Sequence, residues 1–298
     1  MSATGLAFPA RVDAAARAAV VKSSSGDFAA FVRAFEAAIP RRATEAYDIP
    51  TASERDGMGS AWSAVLAGDL SRAATIADRY GFDVVRYSDT GGPTPRLLTV
   101  LKERTRADGS FAHGWGMYAV AVESPLSVVV EVTHPVFDVN TAAMGVATFR
   151  RSSGAFFMAG AHRYANADGS ADVAHRADSV FETMHRRTVR AGVRIYQPHG
   201  FDAADFDSTY GEAVVSRGDR PSDLTTAVAA GLSTDGFAVC LYDGASRCRQ
   251  LAATTNVQGN SARSVGADFV HVEVARSVRD DVARRGVLDA AVSRVLAS

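Results

Sequence analysis

Lysine is almost missing from this 298-residue chain: Lys22 and Lys102 are the only two, and arginine supplies the rest of its 32 basic side chains. That bias fits a GC-rich genome better than any function. A surplus of charge is missing too. The formal net charge of −1 leaves no global field to recruit nucleic acid or an anionic membrane. Long apolar runs are absent, which excludes a membrane-spanning helix. The alanine-rich stretch 1–21 is interrupted by Pro9, Arg11, Asp13 and Arg17 and lacks the apolar core of a signal peptide. The expected compartment is therefore the cytoplasm. Cysteine is scarce as well. Cys240 and Cys248 form neither a CxxC motif nor a cysteine-based metal site. The turn-forming residues between them leave two readings, a bridged hairpin in a secreted protein or two buried thiols. There is no P-loop, no GxGxxG and no interleaved basic and aromatic patch, which argues against nucleotide chemistry and nucleic-acid partners.

A composition of 47% hydrophobic and 22% charged residues is that of a folded globular protein. From residue 12 to about 80 the pattern is helical, with Phe28, Phe31, Phe35 and Ala38 three and four apart. After Gly81, short β-branched runs alternate with helical stretches, as in an α/β sheet. Strands are expected at 83–87, 97–101, 116–122, 127–133, 155–159, 193–197, 236–242 and 268–274. Helices are expected at 140–149, 173–190, 222–231 and 277–296. The first strands follow one another too closely for helical crossovers, so the sheet should be mixed. The expected organisation is a helical N-terminal segment, 1–80, packed on an α/β catalytic domain, 81–298, without a flexible linker.

Ligands of open α/β sheets bind beyond the carboxyl ends of the strands, and three predicted strands end in chemically capable residues. SVVVEVT leads into His134, then Pro135 stops the strand and Asp138 follows. Asp138 has two readings, metal ligand and N-cap of the next helix. The second strand ends in Pro198, His199 and Gly200, where glycine lets the backbone approach a ligand. In the third, Phe269, His271 and Glu273 share one strand face. A glutamate in an apolar strand is costly unless paired or metal-associated. Glu273 is therefore either catalytic or paired with an arginine such as Arg276 or Arg279.

Catalytic zinc takes three protein ligands from His and Asp/Glu and keeps one open position. His134, Asp138 and His199 fit that set, with one Zn²⁺ per chain, and Glu273 fits the general base. This order of residues resembles the zinc carboxypeptidases and the related amidohydrolases, including N-acetylmuramoyl-L-alanine amidases and poly-γ-glutamate hydrolases. The resemblance spans roughly 127–274, and the stretch from Arg163 to Asn166 resembles an arginine-alanine-asparagine stretch of the amidases. It implies a mixed sheet of the phosphorylase/hydrolase type, early and late zinc ligands, a late glutamate base and an amide- or peptide-bearing substrate. The pattern departs in spacing: the carboxypeptidases have His-x-x-Glu, whereas Asp138 stands four residues after His134. Glu131 lies on the other strand face, and His162 is a possible substitute ligand.

Arg163, Asn256 and Arg263 are the substrate-side candidates, because arginine grips carboxylates in a bidentate fork; a solvated loop is the alternative for 254–263. His175 and Ser179, with Asp172, form a competing Ser-His-Asp arrangement, but no G-x-S-x-G elbow exposes a serine. His185 is expected on an exposed helix and His113 in a loop. The rival functions are a non-catalytic α/β binding protein and a metal-independent hydrolase or phosphatase using several histidines directly.

Overall fold

The computed structural model describes residues 19–92, 94–122 and 124–298. The expectations for residues 1–18 and the turn at Pro93 lie outside these. The described strands form one mixed sheet: β1 (Lys22–Gly26), β2 (Phe82–Asp89), β3 (Arg96–Glu103), β4 (Met117–Ala121), β5 (Val128–Val132), β6 (Gly154–Met158), β7 (Arg194–Phe201), β8 (Ala213–Ser216), β9 (Val239–Leu241) and β10 (Asp268–Ala275). Their order is β1-β2-β3-β4-β6-β5-β7-β10-β8-β9. The closely spaced β2, β3 and β4 pair antiparallel, as their short connections require, whereas β6, β5, β7 and β10 run parallel.

Helices cover both faces: α1 (Phe28–Ala37), α2 (Ala52–Leu66), α3 (Leu70–Ala77), α4 (Thr141–Arg151), α5 (Val180–Thr188), α6 (Asp223–Thr234), α7 (Val257–Ser264), α8 (Arg276–Asp280) and α9 (Val282–Ala297). On one face α1, α4, α6 and α9 bury Phe28, Phe149, Leu232 and Val292 against Val130, Phe156, Tyr196 and Val272. On the other, α2, α3 and α5 bury Trp62, Ala73 and Phe181 against Val129, Phe157, Ile195 and Phe269. Alternation along each strand thus feeds two cores. Gly145 lets α4 sit close on β5: a Cβ there would lie 2.7 Å from Val132 Cγ2.

Several boundaries differ from the sequence expectation, each for a local reason. The N-terminal segment is not wholly helical, because residues 22–26 add an edge strand parallel to β2. The helix expected at 173–190 is broken: a 3₁₀ turn at Val173–His175 ends early, and Ser179 caps α5 by accepting from the Glu182 amide. Most of the polar stretch 254–263 belongs to helix α7, Val257–Ser264, capped by Asn256. Asp281 caps α9 and splits the last helix. Strand β8 was not anticipated. Cys240 and Cys248 are bridged, with Cα atoms 6.5 Å apart. Among the described residues no helix is long and apolar enough to cross a membrane.

Candidate metal centre

From β5 the chain crosses one face through α4 to reach β6, then the other face through α5 to reach β7, on the opposite side of β5. A crevice at the carboxyl ends of β5 and β7 follows from that reversal. Along the sheet face under α5, the parallel strands change character in layers. Val129, Ile195 and Phe269 form a fully buried apolar layer. Two residues on come Glu131, Gln197 and His271, then Thr133, His199 and Glu273, with Gln197 beside His271 and His199 beside Glu273. On this face of the three strands, polar groups are thus confined to the carboxyl end of the sheet.

His134 follows β5, and a turn closed by the Asp138 amide on the His134 carbonyl (2.9 Å) folds Asp138 back over it. The Asp138 carboxylate does not cap a helix; Asn140 precedes α4 instead. Asp138 Oδ2 stands 3.3 Å from His134 Nδ1 and 3.2 Å from His199 Nδ1. The rings of His134 and His199 lie 4.8 Å apart, centre to centre.

The surroundings decide which ring nitrogens carry protons. Asn256 Oδ1 accepts from the Gly259 amide, so its Nδ2 faces Gln197 Oε1 as the donor, at 2.8 Å. Gln197 Nε2 donates to the Glu131 carboxylate at 2.9 Å, so its Oε1 faces His199 Nε2 as an acceptor at 3.3 Å, beside the nearer Thr133 hydroxyl at 3.1 Å, which can donate or accept. His134 Nε2 likewise faces the Asp172 carboxylate, at 2.9 Å. On neutral rings with the outer nitrogens donating, both Nδ1 lone pairs face Asp138, itself only an acceptor. Two such ring nitrogens, each 3.2–3.3 Å from one buried carboxylate oxygen, call for a cation, either a proton or a metal ion.

Protonation answers part of that demand. Burial alone would push His134 down, but the hydrogen bonds to Asp138 and Asp172 carry it up to about 9. Burial and the charge on His134 hold His199 below its ordinary value, although Asp138 opposes this. Asp138, despite burial, is held well below the carboxylate range by its two histidines. Burial, reinforced by the charge on Asp138, pushes Glu273 up to about 8. One Glu273 oxygen lies 3.7 Å from His271 Nε2, while the other is buried without a hydrogen-bond partner among the described residues, as is His271 Nδ1. His199, His271 and Glu273 accordingly make a second, overlapping group able to hold a metal.

The remaining candidates divide. A cavity of about 190 Å³ is lined by His134, Arg163, His175, His199, Asn256 and Glu273, among others. Arg163 bonds Asp172 at 2.5 Å, and its guanidinium lies over the rings of Phe137 and Tyr164. Asn256 is in the cavity wall but its amide is committed to α7 and Gln197. Arg263 lies elsewhere, bonded to the Arg217 carbonyl and to Asn260. His162 accepts from the Tyr164 amide and packs on Phe137, outside both metal-capable groups. The serine-hydrolase arrangement is not assembled: His175 meets Thr255, Asp172 meets His134, and Ser179 caps α5. His185 is not exposed but fully buried, 2.6 Å from Glu131, because the broken helix turns that side inward. His113 does sit in a loop, stacked on Trp115. Asp172, considered from the sequence only with His175 and Ser179, stands instead beside His134; its sequence signal for that place, an acid nine residues after Arg163, is too common to single it out.

No family model matches the chain, and no curated protein matches it in sequence. Among solved structures it is similar to an N-formylglutamate amidohydrolase from Ralstonia eutropha JMP134, with 14% identity, 61% of this chain and 96% of that chain covered, and a TM-score of 0.43. A bacteriophage poly-γ-glutamate hydrolase has 13% identity, coverage of 58% and 84%, and a TM-score of 0.39. A metallo-carboxypeptidase from Pseudomonas aeruginosa has 14% identity, coverage of 76% and 68%, and a TM-score of 0.36.

Proposed function

We propose that this chain is a hydrolase of an amide or peptide bond that uses one zinc ion, held by His134, Asp138 and His199, with Glu273 as general base. The observation that carries it is the convergence of two histidine Nδ1 atoms on one carboxylate oxygen. Two ligands of one tetrahedral zinc, each about 2.0–2.1 Å from the ion, stand roughly 3.3 Å apart. The separations of 3.3 and 3.2 Å match. The far nitrogen of each histidine also faces an acceptor, the arrangement that orients metal-bound imidazoles.

When bound, the ion supplies Lewis acidity, polarising the substrate carbonyl and acidifying the attacking water. Glu273, with one oxygen free of protein partners, takes the water's proton and passes it to the leaving nitrogen. Arg163, at the cavity wall, grips a substrate carboxylate or carbonyl oxygen.

Glu273→Gln keeps shape and removes the base. The variant should bind zinc like the parent and lose about 10²–10⁴-fold in turnover, while His199→Ala should lose the metal with the activity. A Glu273→Gln protein that hydrolyses an amide substrate at the parental rate refutes the assignment. The overlapping group of His199, His271 and Glu273 supports a second reading, in which Glu273 is itself a ligand. Under it, Glu273→Gln would lose zinc as well as turnover, so one metal measurement separates the two.

A further inference from the structure

Arg279 is 3% exposed, yet its three hydrogen bonds all end on backbone carbonyls. A buried guanidinium with such partners is a poor device for stability, since an apolar side chain of similar volume avoids the desolvation of a charge. What distinguishes it is where the three bonds go. Nε donates to Val274, the residue after Glu273, at 2.9 Å. One Nη donates to Val139, the residue after Asp138, at 2.5 Å. The other donates to Phe201, two residues beyond His199, at 3.4 Å. The fork also lies flat against Gly200, where a Cβ would stand 2.2 Å from its Cζ. Three segments remote in sequence, each carrying one member of the site, are thus joined through one rigid planar group.

We infer that Arg279 is a positioning residue that sets the mutual spacing of Asp138, His199 and Glu273, an inference resting on the metal-centre reading above. A guanidinium suits this because its donors leave in fixed directions within one plane; a lysine ammonium keeps the charge but is a point donor and cannot span three carbonyls. Gly200 belongs to the same device, being the residue that admits the fork.

The test uses the full-length protein stripped of metal. Zinc affinity is measured by competition with a chromophoric chelator, the visible spectrum is recorded after cobalt(II) loading, and thermal melting is followed in parallel. Arg279→Lys and Gly200→Ala should each weaken zinc binding by about 10–100-fold and change the cobalt spectrum. Because both act through one contact, Gly200→Ala should add little in an Arg279→Met background. Should an Arg279 variant not fold, Gly200→Ala alone carries the test. Variants that melt earlier but bind zinc within about twofold of the parent, with an unchanged cobalt spectrum, overturn the role of Arg279. Parent protein that takes up no zinc overturns the metal-centre reading itself, whatever the variants do.

Discussion

Asp172→Asn is the sharpest probe of how the metal centre is tuned, because it changes one charge and almost no volume. In the parent the Asp172 carboxylate accepts from His134 Nε2 at 2.9 Å and from Arg163 at 2.5 Å, both largely out of solvent. Asparagine can still accept from one of them, but as a neutral group. Hydrogen bonds to charged partners contribute about 1.5–3 kcal/mol against about 0.5–1.5 for neutral ones. The difference at His134 is therefore about 1–2 kcal/mol, or roughly 5–30-fold in zinc affinity, within the range expected for outer partners of metal-bound histidines. Competition titration of the metal-free protein reads this directly, with a thermal melt confirming the fold. Arg163→Ala is the control: it breaks the other contact of Asp172 and should raise KM while changing zinc affinity by less than about threefold. An Asp172→Asn protein with parental zinc affinity and an intact fold would refute the claim that Asp172 orients His134.

Two further predictions follow from groups away from the metal. Ser179→Ala removes the cap of α5 and should cost about 0.5–2 kcal/mol of stability while leaving turnover at the parental level; loss of turnover with an intact fold would revive a serine nucleophile. Asp289 is 3% exposed on α9, with one oxygen unpartnered, and burial pushes its carboxyl up to about 8 from an ordinary 3.8. The folded state then holds a proton the unfolded chain releases, so stability should fall as pH rises from about 4 to about 8 and level off above. Asp289→Asn should flatten that slope and be more stable by several kcal/mol at pH 8 in urea titrations. Parallel pH profiles of variant and parent would refute it.

Much of the fold was legible because the signals are local. SVVVEVT, VRIYQ and DFVHVEV are β-branched runs that remain strands wherever they pack, and the close spacing of β2, β3 and β4 forced a mixed sheet. What escaped depended on capping and on distant partners. A serine at 179 inside an apparently continuous helical pattern is an N-cap only because the chain must turn to bring Asp172 under His134. Helix α7 hid in a polar stretch because its stability comes from Asn256 and from Gln258 bonded to Glu182 and the Val173 carbonyl, not from an apolar stripe. Strand Lys22–Gly26 has the sequence of a linker and exists by pairing with β2. Arg263 drew attention by residue type alone, and residue type does not say which carbonyl a guanidinium will meet.

The site itself had a stronger signal than its separate histidines. Taken every second residue, the three parallel strands read Val129-Glu131-Thr133, Ile195-Gln197-His199 and Phe269-His271-Glu273. Each starts apolar and becomes polar towards its carboxyl end, and all three do so on one face. A single buried polar residue in a strand costs free energy unless it is paired. Three adjacent strands with the same gradient supply partners for one another, so the middle layer of Glu131, Gln197 and His271 is explained by what it supports. Gln197 presents an acceptor to His199 only because Glu131 and Asn256 fix Gln197. His185 holds Glu131 in turn, from a helix turned inward by the break before it. The lone pairs facing Asp138 are thus set by a chain of donors and acceptors that begins at two backbone-anchored helices, and removing any link frees the next to rotate. That ordering explains why the polar residues under the metal ligands are buried rather than solvated: a histidine presents one chosen nitrogen only while everything behind it is constrained.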